Sequence, residues 1–284
     1  MPVGRLRPVA GRVVAVTGGA RGIGAAVATV LARLGARVAI GDRDTAAAQA
    51  LARRLGGAVL ALPLDVTSTA SYRRFLDTVE QRLGPLEVLV NNAGVMWVGP
   101  FEEEPDEAVE RQFAVNTLGV IRGTRLAAPR MQAAGGGHLV TIASAASRIS
   151  PRGQASYAAT KHAVYGYLSA VRAELRGTGV DVSVVMPTVV RTELARGTGH
   201  GVVPLLESEH VARAVLSALV RPRFEVFVPG YVGGLVRLLA LLPQPLRDLA
   251  TRFALPNQLV EADRAARRDY ERAALFTDPS VPPA

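Results

Sequence analysis

Short apolar runs alternate with longer segments of helical pattern along most of the chain. Apolar runs of four to eight residues between such segments are typical of strands buried on both faces of a sheet. The predicted strands cover residues 13–17, 37–41, 59–64, 88–91, 138–142, 180–186 and 224–228. The alternation predicts the α/β class, with a single doubly wound parallel sheet and helices on both of its faces.

The last third of the chain has a different pattern. Gly197, Gly199 and Gly201 follow the sixth strand and predict either a substrate lid or a poorly ordered loop. Residues 235–242 and 246–255 are then apolar with interspersed arginines, and two prolines separate them. Such a stripe could cover a hydrophobic pocket, pack in a dimer or touch a membrane, but we expect it to be core. The proline-rich tail after Thr277 is expected to be disordered.

Composition limits the possible chemistry. A chain of 284 residues with 49% hydrophobic residues fits one domain over residues 1–284. We divide it into a core at about 10–230 and an apolar helical extension at about 231–276. The absence of cysteine excludes disulfides, thiolate nucleophiles and cysteine metal sites, so redox chemistry needs a bound cofactor. The four histidines lack the spacing of a zinc helix, and we expect no metal.

The net charge of +9 comes from scattered arginines rather than from a basic run interleaved with aromatics, so we expect no nucleic-acid partner. Residues 1–14 do not form the apolar run of a signal peptide. No uninterrupted apolar stretch of about 18 residues is present either. We therefore expect a cytoplasmic protein, with membrane-peripheral contact as the alternative.

A glycine-rich loop follows the first predicted strand and precedes an alanine-rich helix. Gly18, Gly22 and Gly24 would let the backbone approach a pyrophosphate at the helix N-terminus. Asp42 at the end of the next strand can accept hydrogen bonds from an adenosine ribose diol, and its charge would repel a 2′-phosphate. This arrangement favours NAD(H). Arg21 and Arg43 could instead hold a phosphate, which leaves NADP(H) as an alternative.

Lys161 is the only lysine among 33 basic side chains, and it follows Tyr157 by four residues. Residues 156–176 predict a helix, so the two side chains lie one turn apart on one face. A neighbouring cation favours a phenolate and lowers a tyrosine pKa toward the range that is useful for general base catalysis. Tyr157 could then take a proton from an alcohol or donate one to a carbonyl oxygen.

Together with Asp65-Val66, Asn91-Asn92-Ala93-Gly94, Asn116 and Ser144, these motifs resemble the short-chain dehydrogenase/reductase family over roughly residues 10–195. The resemblance implies a Rossmann-type fold and an NAD(P)-dependent exchange of hydride between a secondary alcohol and a ketone. It also implies four catalytic residues. These are Tyr157 as acid/base, Ser144 as a donor to the substrate oxygen, Lys161 on the nicotinamide ribose with an effect on the Tyr157 pKa, and Asn116 as the holder of a relay water.

The resemblance implies a cofactor-binding set as well. Its members are Gly18, Arg21, Gly22, Ile23, Gly24, Asp42, Arg43, Asp65, Val66, Asn92, Ala93, Gly94, Tyr157, Lys161, Pro187, Val190 and Thr192. Thr188 departs from the glycine that the family usually carries after this proline, which puts the local loop path in question.

The C-terminus also departs from the family pattern, because many bacterial members end in a glycine-rich strand. The apolar tail resembles members that act on retinoids, steroids or lipid alcohols, so we expect a hydrophobic alcohol or ketone as substrate and a homo-oligomer as the assembly. A catalytically silent dinucleotide-sensing protein is the alternative. It is disfavoured because a sensor needs none of the four catalytic groups. A sugar-nucleotide epimerase is less favoured still, since the chain lacks room for the larger substrate region of that group.

Overall fold

The computed structural model describes residues 8–276, and its centre is a parallel sheet of seven strands in the order β3-β2-β1-β4-β5-β6-β7. The strands are β1 Val13–Thr17, β2 Arg37–Asp42, β3 Val59–Pro63, β4 Val88–Asn91, β5 Gly137–Ile142, β6 Val180–Pro187 and β7 Glu225–Val228. All seven predicted strands are confirmed, with their ends shifted by no more than one residue. The order reverses between β1 and β4, which leaves a crevice at the carboxyl ends of these two strands.

Helices cover both faces of the sheet. They are α1 Gly22–Arg33, α2 Thr45–Leu55, α3 Thr69–Leu83, α4 Asp106–Gln112, α5 Gly119–Ala133, α6 Ala155–Glu174, α7 Ser208–Val220, α8 Tyr231–Leu241, α9 Gln244–Ala254, α10 Gln258–Glu261 and α11 Arg264–Leu275. A π-helical turn at Phe113–Leu118 joins α4 to α5, and a 3₁₀ turn at Ala145–Ser147 follows β5. The predicted doubly wound α/β fold is confirmed, and the helix expected at 156–176 runs from Ala155 to Glu174.

The core lies on both faces of the sheet because alternate residues of each strand point in opposite directions. In β1, Val13 and Ala15 join one cluster of buried side chains, whereas Val14 and Val16 join the other. All four are fully buried, which explains why the strand is apolar without alternation. Each fully buried valine contributes roughly 1.5–3 kcal/mol. This burial anchors the strand whose carboxyl end carries the glycine-rich loop.

The C-terminal helices are only partly core. Val232, Val236 and Leu239 of α8 are buried, whereas Leu235, Leu238 and Leu241 on the same helix are exposed. The apolar side chains of α9 at positions 246, 249 and 253 are all more than half exposed. The expectation that the whole apolar stripe is core is therefore wrong for α9. The tail after Thr277, for which we expect disorder, lies outside the described residues.

Between residues 8 and 276, every helix is too short or too polar to cross a bilayer.

Candidate active site

The carboxyl ends of the central strands open into a cleft of about 550 Å³. Its walls come from the loops after β1, β2, β3, β4, β5 and β6, together with parts of α4, α6, α8 and α11. Most of the sequence-predicted site residues line this one cleft. Among the predicted residues that the structure describes, Gly24 and Asn116 are the two that do not line it.

The glycine-rich loop is a cradle that side chains would fill. Gly18 and Gly22 have φ angles of +60° and +52°, which favour glycine. A Cβ atom on Gly18 would lie 2.8 Å from the Cα of Ala93, and one on Gly24 would lie 2.2 Å from the Gly18 carbonyl oxygen. The helix α1 begins at Gly22 without a side-chain cap, so its first N–H groups face the cradle. These features fit a pyrophosphate at a helix N-terminus.

A polar brace holds this loop to the end of β4. Asn92 donates from Nδ2 to the carbonyl oxygens of Thr17 and Gly18, at 3.0 and 2.9 Å. The Thr17 hydroxyl accepts from the backbone N–H groups of Asn92 and Ala93, at 3.0 and 3.1 Å. The Asn92 amide, predicted to bind cofactor, is thus engaged in supporting the cradle. Thr17, which was not among the predicted site residues, also supports the loop. It is the last residue of β1, and the strand pattern alone does not distinguish it from the last residues of the other strands.

Asp42 is fixed by the backbone around it. Its carboxylate accepts from Ala20 N and from Asp44 N, both at 3.0 Å. Arg21, one of the two arginines considered as a phosphate ligand, forms ion pairs with Asp44 at 2.6 Å and with Glu193 at 3.4 Å. The guanidinium of Arg21 therefore already has two carboxylate partners. Asp42 itself lies on the wall of the cleft.

Asp65 and Arg111 are two charged residues that line the cleft near Asp42 and Arg43. Burial alone would raise the pKa of Asp65, but hydrogen bonds from the Thr67 hydroxyl and N–H and the charges of Arg111 and Arg43 lower it overall. Arg111 of α4 also lines the cleft, and burial together with the nearby charge of Arg43 lowers its pKa. Arg111 was not among the predicted site residues, because a single arginine on a helix carries no distinguishing pattern.

Ser144, Tyr157 and Lys161 also line the cleft and lie close to one another. Ser144 follows β5, and its Oγ accepts from Ala146 N at 3.1 Å. Tyr157 and Lys161 lie one turn apart on α6, with Lys161 Nζ 5.5 Å from the centroid of the Tyr157 ring. Lys161 Nζ donates to the Ile142 carbonyl oxygen at 3.3 Å, which ties α6 to the end of β5. The nearby Ser147 is buried away from the cleft wall.

Burial dominates the electrostatics of this group. It raises the pKa of Tyr157 to about 12, although a hydrogen bond with Ser144 lowers it in part. Burial lowers the pKa of Lys161 to about 8. We expected Lys161 to lower the Tyr157 pKa, and the net direction is the opposite because desolvation disfavours the phenolate. A tyrosine that holds its proton at neutral pH is suited to donate it to a carbonyl oxygen.

Asn116 lies in the π-helical turn and is fully buried behind Gly94. Its side chain bonds to both backbone groups of Val95 and donates to the Thr160 hydroxyl at 3.2 Å. A Cβ on Gly94 would lie 3.4 Å from Asn116 Oδ1 and 3.7 Å from Lys161 Nζ, so Asn116 is close to the cleft without lining it. Its role as the holder of a relay water stays a prediction.

The segment after β6 reaches the cleft along the expected path. Pro187, Val190 and Thr192 all line the wall. Thr188 does not divert the loop, since its N–H donates to the Val228 carbonyl oxygen at 2.9 Å. At these positions the backbone needs no positive φ, so a threonine is accommodated where the family usually carries glycine.

The glycine-containing segment at 197–201 is neither a free lid nor a loop without contacts. Gly199 exchanges hydrogen bonds of 2.9 and 2.8 Å with the side chain of the buried Gln258. The Gly197 carbonyl oxygen accepts from Asp263 N at 2.8 Å. The C-terminal helices therefore hold this segment at the mouth of the cleft, where Thr198 and Val202 line it.

Several lining residues come from the C-terminal segment that follows β7, and none of them was among the predicted site residues. They are mainly apolar and comprise Tyr231, Val232, Leu235, Val236, Leu239, Leu255, Pro256, Gln258, Tyr270 and Ala274. Their helical apolar spacing is the same signal that core residues give, so only the packing of α8 and α11 distinguishes them.

Comparisons with known proteins agree with this geometry. A family model described as short chain dehydrogenase matches residues 12–202. D-threitol dehydrogenase of Mycolicibacterium smegmatis is 38% identical over 194 residues, which are 67% of this chain and 75% of the relative. The 17-beta-hydroxysteroid dehydrogenase 13 of Rattus norvegicus is 30% identical over 265 residues, which are 91% of this chain and 87% of the relative.

A solved structure extends the agreement to the fold. The short chain dehydrogenase/reductase from Burkholderia phymatum in complex with NAD superposes with a TM-score of 0.77 at 27% identity, over 83% of this chain and 95% of that one. The family match covers the glycine cradle and the wall that carries Ser144, Tyr157 and Lys161. The chain thus belongs to the short-chain dehydrogenase family and is a nicotinamide-dinucleotide-dependent oxidoreductase that interconverts small-molecule alcohols and ketones.

Proposed function

We propose that Tyr157 is the acid/base of this reaction, that Ser144 binds the substrate oxygen, and that Lys161 binds the nicotinamide ribose. The observation that carries the proposal is that these three side chains share one wall of the cleft whose other end is the glycine cradle. The bound dinucleotide supplies or accepts the hydride. The protein residues then have to hold the substrate oxygen and move one proton.

In the direction of ketone reduction, the Tyr157 hydroxyl donates its proton to the carbonyl oxygen while the Ser144 hydroxyl donates a hydrogen bond to the same atom. The raised pKa of Tyr157 suits this direction because the hydroxyl stays protonated at neutral pH. In alcohol oxidation the same hydroxyl must lose its proton first, and the positive charge of Lys161 would favour that loss. Asn116 would support the group from behind Gly94 through its contacts with Val95 and Thr160.

For the cofactor we propose a preference for NAD(H) over NADP(H). Gly18, Gly22, Ile23, Gly24 and the start of α1 would hold the pyrophosphate. The Asp42 carboxylate would accept hydrogen bonds from the ribose diol and repel a 2′-phosphate. The ion pairs of Arg21 with Asp44 and Glu193 support the preference, because one of the two competing arginines is already neutralised.

The remaining predicted cofactor residues would hold the two rings of the dinucleotide. Asp65 and Val66 would face the adenine, and Asn92, Ala93 and Gly94 would pass beneath the cofactor. Arg43 lies next to Asp42 and would be the phosphate ligand if the cofactor were NADP(H). Pro187, Val190 and Thr192 would contact the nicotinamide amide.

For the substrate we propose a hydrophobic secondary alcohol or ketone of the steroid, retinoid or lipid-alcohol kind. The support is the apolar wall that α8 adds to the cleft through Val232, Leu235, Val236 and Leu239. A wall of this kind favours substrates with a large apolar surface, because that surface leaves water when the substrate binds. The relative named 17-beta-hydroxysteroid dehydrogenase 13 is consistent with this substrate class.

We also propose that the chain folds as one domain and acts as a homo-oligomer. We further propose that the exposed apolar residues of α8 and α9 touch a membrane surface. Leu246, Leu249 and Phe253 follow one another at helical spacing on a single face of α9. An apolar and exposed helix face such as this one is suited to contact with the surface of a lipid bilayer. Size-exclusion chromatography with light scattering tests the assembly, and flotation with anionic vesicles tests the membrane contact.

The oxidoreductase proposal is tested by initial rates with NAD⁺ and NADP⁺ against steroid, retinoid, long-chain and small cyclic alcohols. Tyr157→Phe is the blank, and Tyr167→Phe is the matched control on the same helix, since Tyr167 is outside the cleft wall. We expect Tyr157→Phe to lower kcat at least 100-fold with dinucleotide binding retained, within the range usual for general acid–base groups. Tyr167→Phe should change it less than twofold.

Lys161→Arg should retain the charge and still lose most turnover, because a planar guanidinium does not replace a compact ammonium at this buried position. Dinucleotide binding without any rate above the Tyr157→Phe blank would reject the proposal and favour the silent sensing protein.

A further inference from the structure

Arg267 on α11 is fully buried although it carries a permanent charge. All three nitrogens of its guanidinium donate hydrogen bonds. Nε donates to Glu271 Oε1 at 2.7 Å, one terminal nitrogen donates to the carbonyl oxygens of Leu194 and Arg196 at 3.1 and 2.9 Å, and the other donates to that of Met96 at 2.8 Å. A buried charge is tolerated only when it is paired and hydrogen-bonded in this way.

The carbonyl partners of Arg267 belong to two loops that line the cleft. Met96 follows Gly94 in the loop after β4, and Leu194 follows Thr192 in the loop after β6. Glu271 adds a second tie to the first loop, because its Oε1 also accepts from Val98 N at 3.3 Å. One face of α11 therefore joins both loops and fixes the distance between them.

Tyr270 lies between these two ionic residues and lines the cleft. Its hydroxyl oxygen accepts from Met96 N at 3.2 Å. Met96 and Tyr157 pack in the same small apolar cluster, and burial together with the nearby Tyr157 hydroxyl raises the pKa of Tyr270. A hydroxyl that accepts one hydrogen bond in this position keeps its own proton for an acceptor in the cleft.

We propose that Tyr270 is a specificity-determining residue that donates a hydrogen bond to a second oxygen of the substrate, and that the buried Arg267–Glu271 pair is the positioning element that holds it there. The inference rests on the proposed alcohol and ketone chemistry. It specifies that the apolar substrate carries a hydrogen-bond acceptor on the carbon next to the reacting carbon, as in a vicinal diol or a hydroxy ketone.

The positioning role is tested by hydrogen exchange on the NADH-bound protein. We expect Arg267→Met to speed amide exchange at residues 96–98 and 194–198 at least tenfold, with β1 and β5 unchanged. Arg268→Met is the matched control on the exposed side of α11 and should change nothing. If Arg267→Met does not fold, Glu271→Gln, which keeps an acceptor and loses the charge, should give a smaller increase at the same amides. Equal acceleration throughout the sheet, or none in the two loops, would overturn the positioning role.

The specificity role is tested with cyclohexanol and trans-cyclohexane-1,2-diol. Wild-type protein should have a KM at least fivefold lower for the diol than for cyclohexanol. Tyr270→Phe should bring the two KM values within twofold of each other by raising the KM for the diol, while the Kd for NADH stays within twofold. An unchanged KM ratio in Tyr270→Phe would overturn the assignment, as would turnover of other alcohols but of neither probe. A wild-type chain that oxidises no alcohol would reject the proposed function and the substrate contact with it, whereas the exchange result would still decide the positioning role.

Discussion

Asn116 and the backbone of Val95 form a matched pair of hydrogen bonds. Asn116 Oδ1 accepts from Val95 N, and Asn116 Nδ2 donates to the Val95 carbonyl oxygen, both at 2.8 Å. The amide thus gives an irregular segment the two partners that a neighbouring strand would otherwise provide. The π-helical turn at Phe113–Leu118 carries this side chain against the segment that leaves β4, next to Lys161.

Replacing this amide should destabilise the protein. Asn116→Ala leaves two buried backbone groups of Val95 without partners, so we expect the free energy of unfolding to fall by about 2–4 kcal/mol. Urea denaturation followed by circular dichroism measures the change. Asn257→Ala, which removes an N-cap on the short helix α10, is the control and should cost about 1 kcal/mol or less. Equal losses in the two variants would contradict the pairing argument.

The glycine cradle predicts a contrast between two Gly→Ala changes. In Gly24→Ala the new methyl group would meet the Gly18 carbonyl oxygen at 2.2 Å, so the loop must shift and dinucleotide affinity should fall at least tenfold. In Gly166→Ala, inside α6, a Cβ has nothing within 4 Å, and stability should rise by about 0.5–1 kcal/mol from the better helix former. Calorimetric NADH binding and thermal unfolding measure the two effects. Normal NADH affinity in Gly24→Ala would show that the cradle tolerates a side chain.

Because Lys161 is buried, its contribution to the free energy of unfolding should depend on pH. Burial lowers the pKa of Lys161 to about 8, below the ordinary value of 10.5. Below pH 8 the folded state holds a desolvated charge, which costs on the order of 3 kcal/mol relative to a neutral amine. Between pH 8 and 10.5 the folded lysine is neutral while the unfolded one still binds a proton, so this cost disappears as pH rises.

Lys161→Met should therefore be more stable than the wild type near pH 7, and the gap should narrow toward pH 10. Guanidinium unfolding of both proteins at a series of pH values measures it. Since both chains share every other titrating group, a gap that is constant with pH would mean that Lys161 is not desolvated.

Replacing Asp42 should change the preference between NAD⁺ and NADP⁺. Asp42→Asn keeps the size and one acceptor oxygen but removes the charge that repels a 2′-phosphate. We expect the ratio of kcat/KM for NAD⁺ to that for NADP⁺ to fall at least tenfold. Asp77→Asn, a surface partner of Arg130, is the control and should leave the ratio unchanged. A wild-type preference for NADP⁺ would show that Arg43 rather than Asp42 decides the choice.

Periodic burial explains why the strands and the cradle could be predicted. A strand that is buried on both faces must be apolar throughout, as β1 is, and the loop after it must be glycine where the backbone meets Ala93. Tyr157 and Lys161 could be paired because helical spacing by itself puts them on one face. In each case the residue type follows from the conformation of the nearby chain, so the sequence around the residue is enough to predict its role.

Local residue patterns were enough to predict the doubly wound sheet, the glycine cradle and the shared face of Tyr157 and Lys161. Three further properties became visible only in the folded chain. They are the direction in which the Tyr157 pKa shifts, the ion pairs of Arg21 with Asp44 and Glu193, and the contacts of α11 with the loops that follow β4 and β6. The physical reason is that these properties depend on burial and on contacts between residues far apart in the chain. Arg267 shows this most clearly, since its three carbonyl partners lie 71 to 171 residues away in the chain. Its one local partner, Glu271, is four residues away, and that spacing alone does not separate Arg267 from an exposed arginine of the same helix.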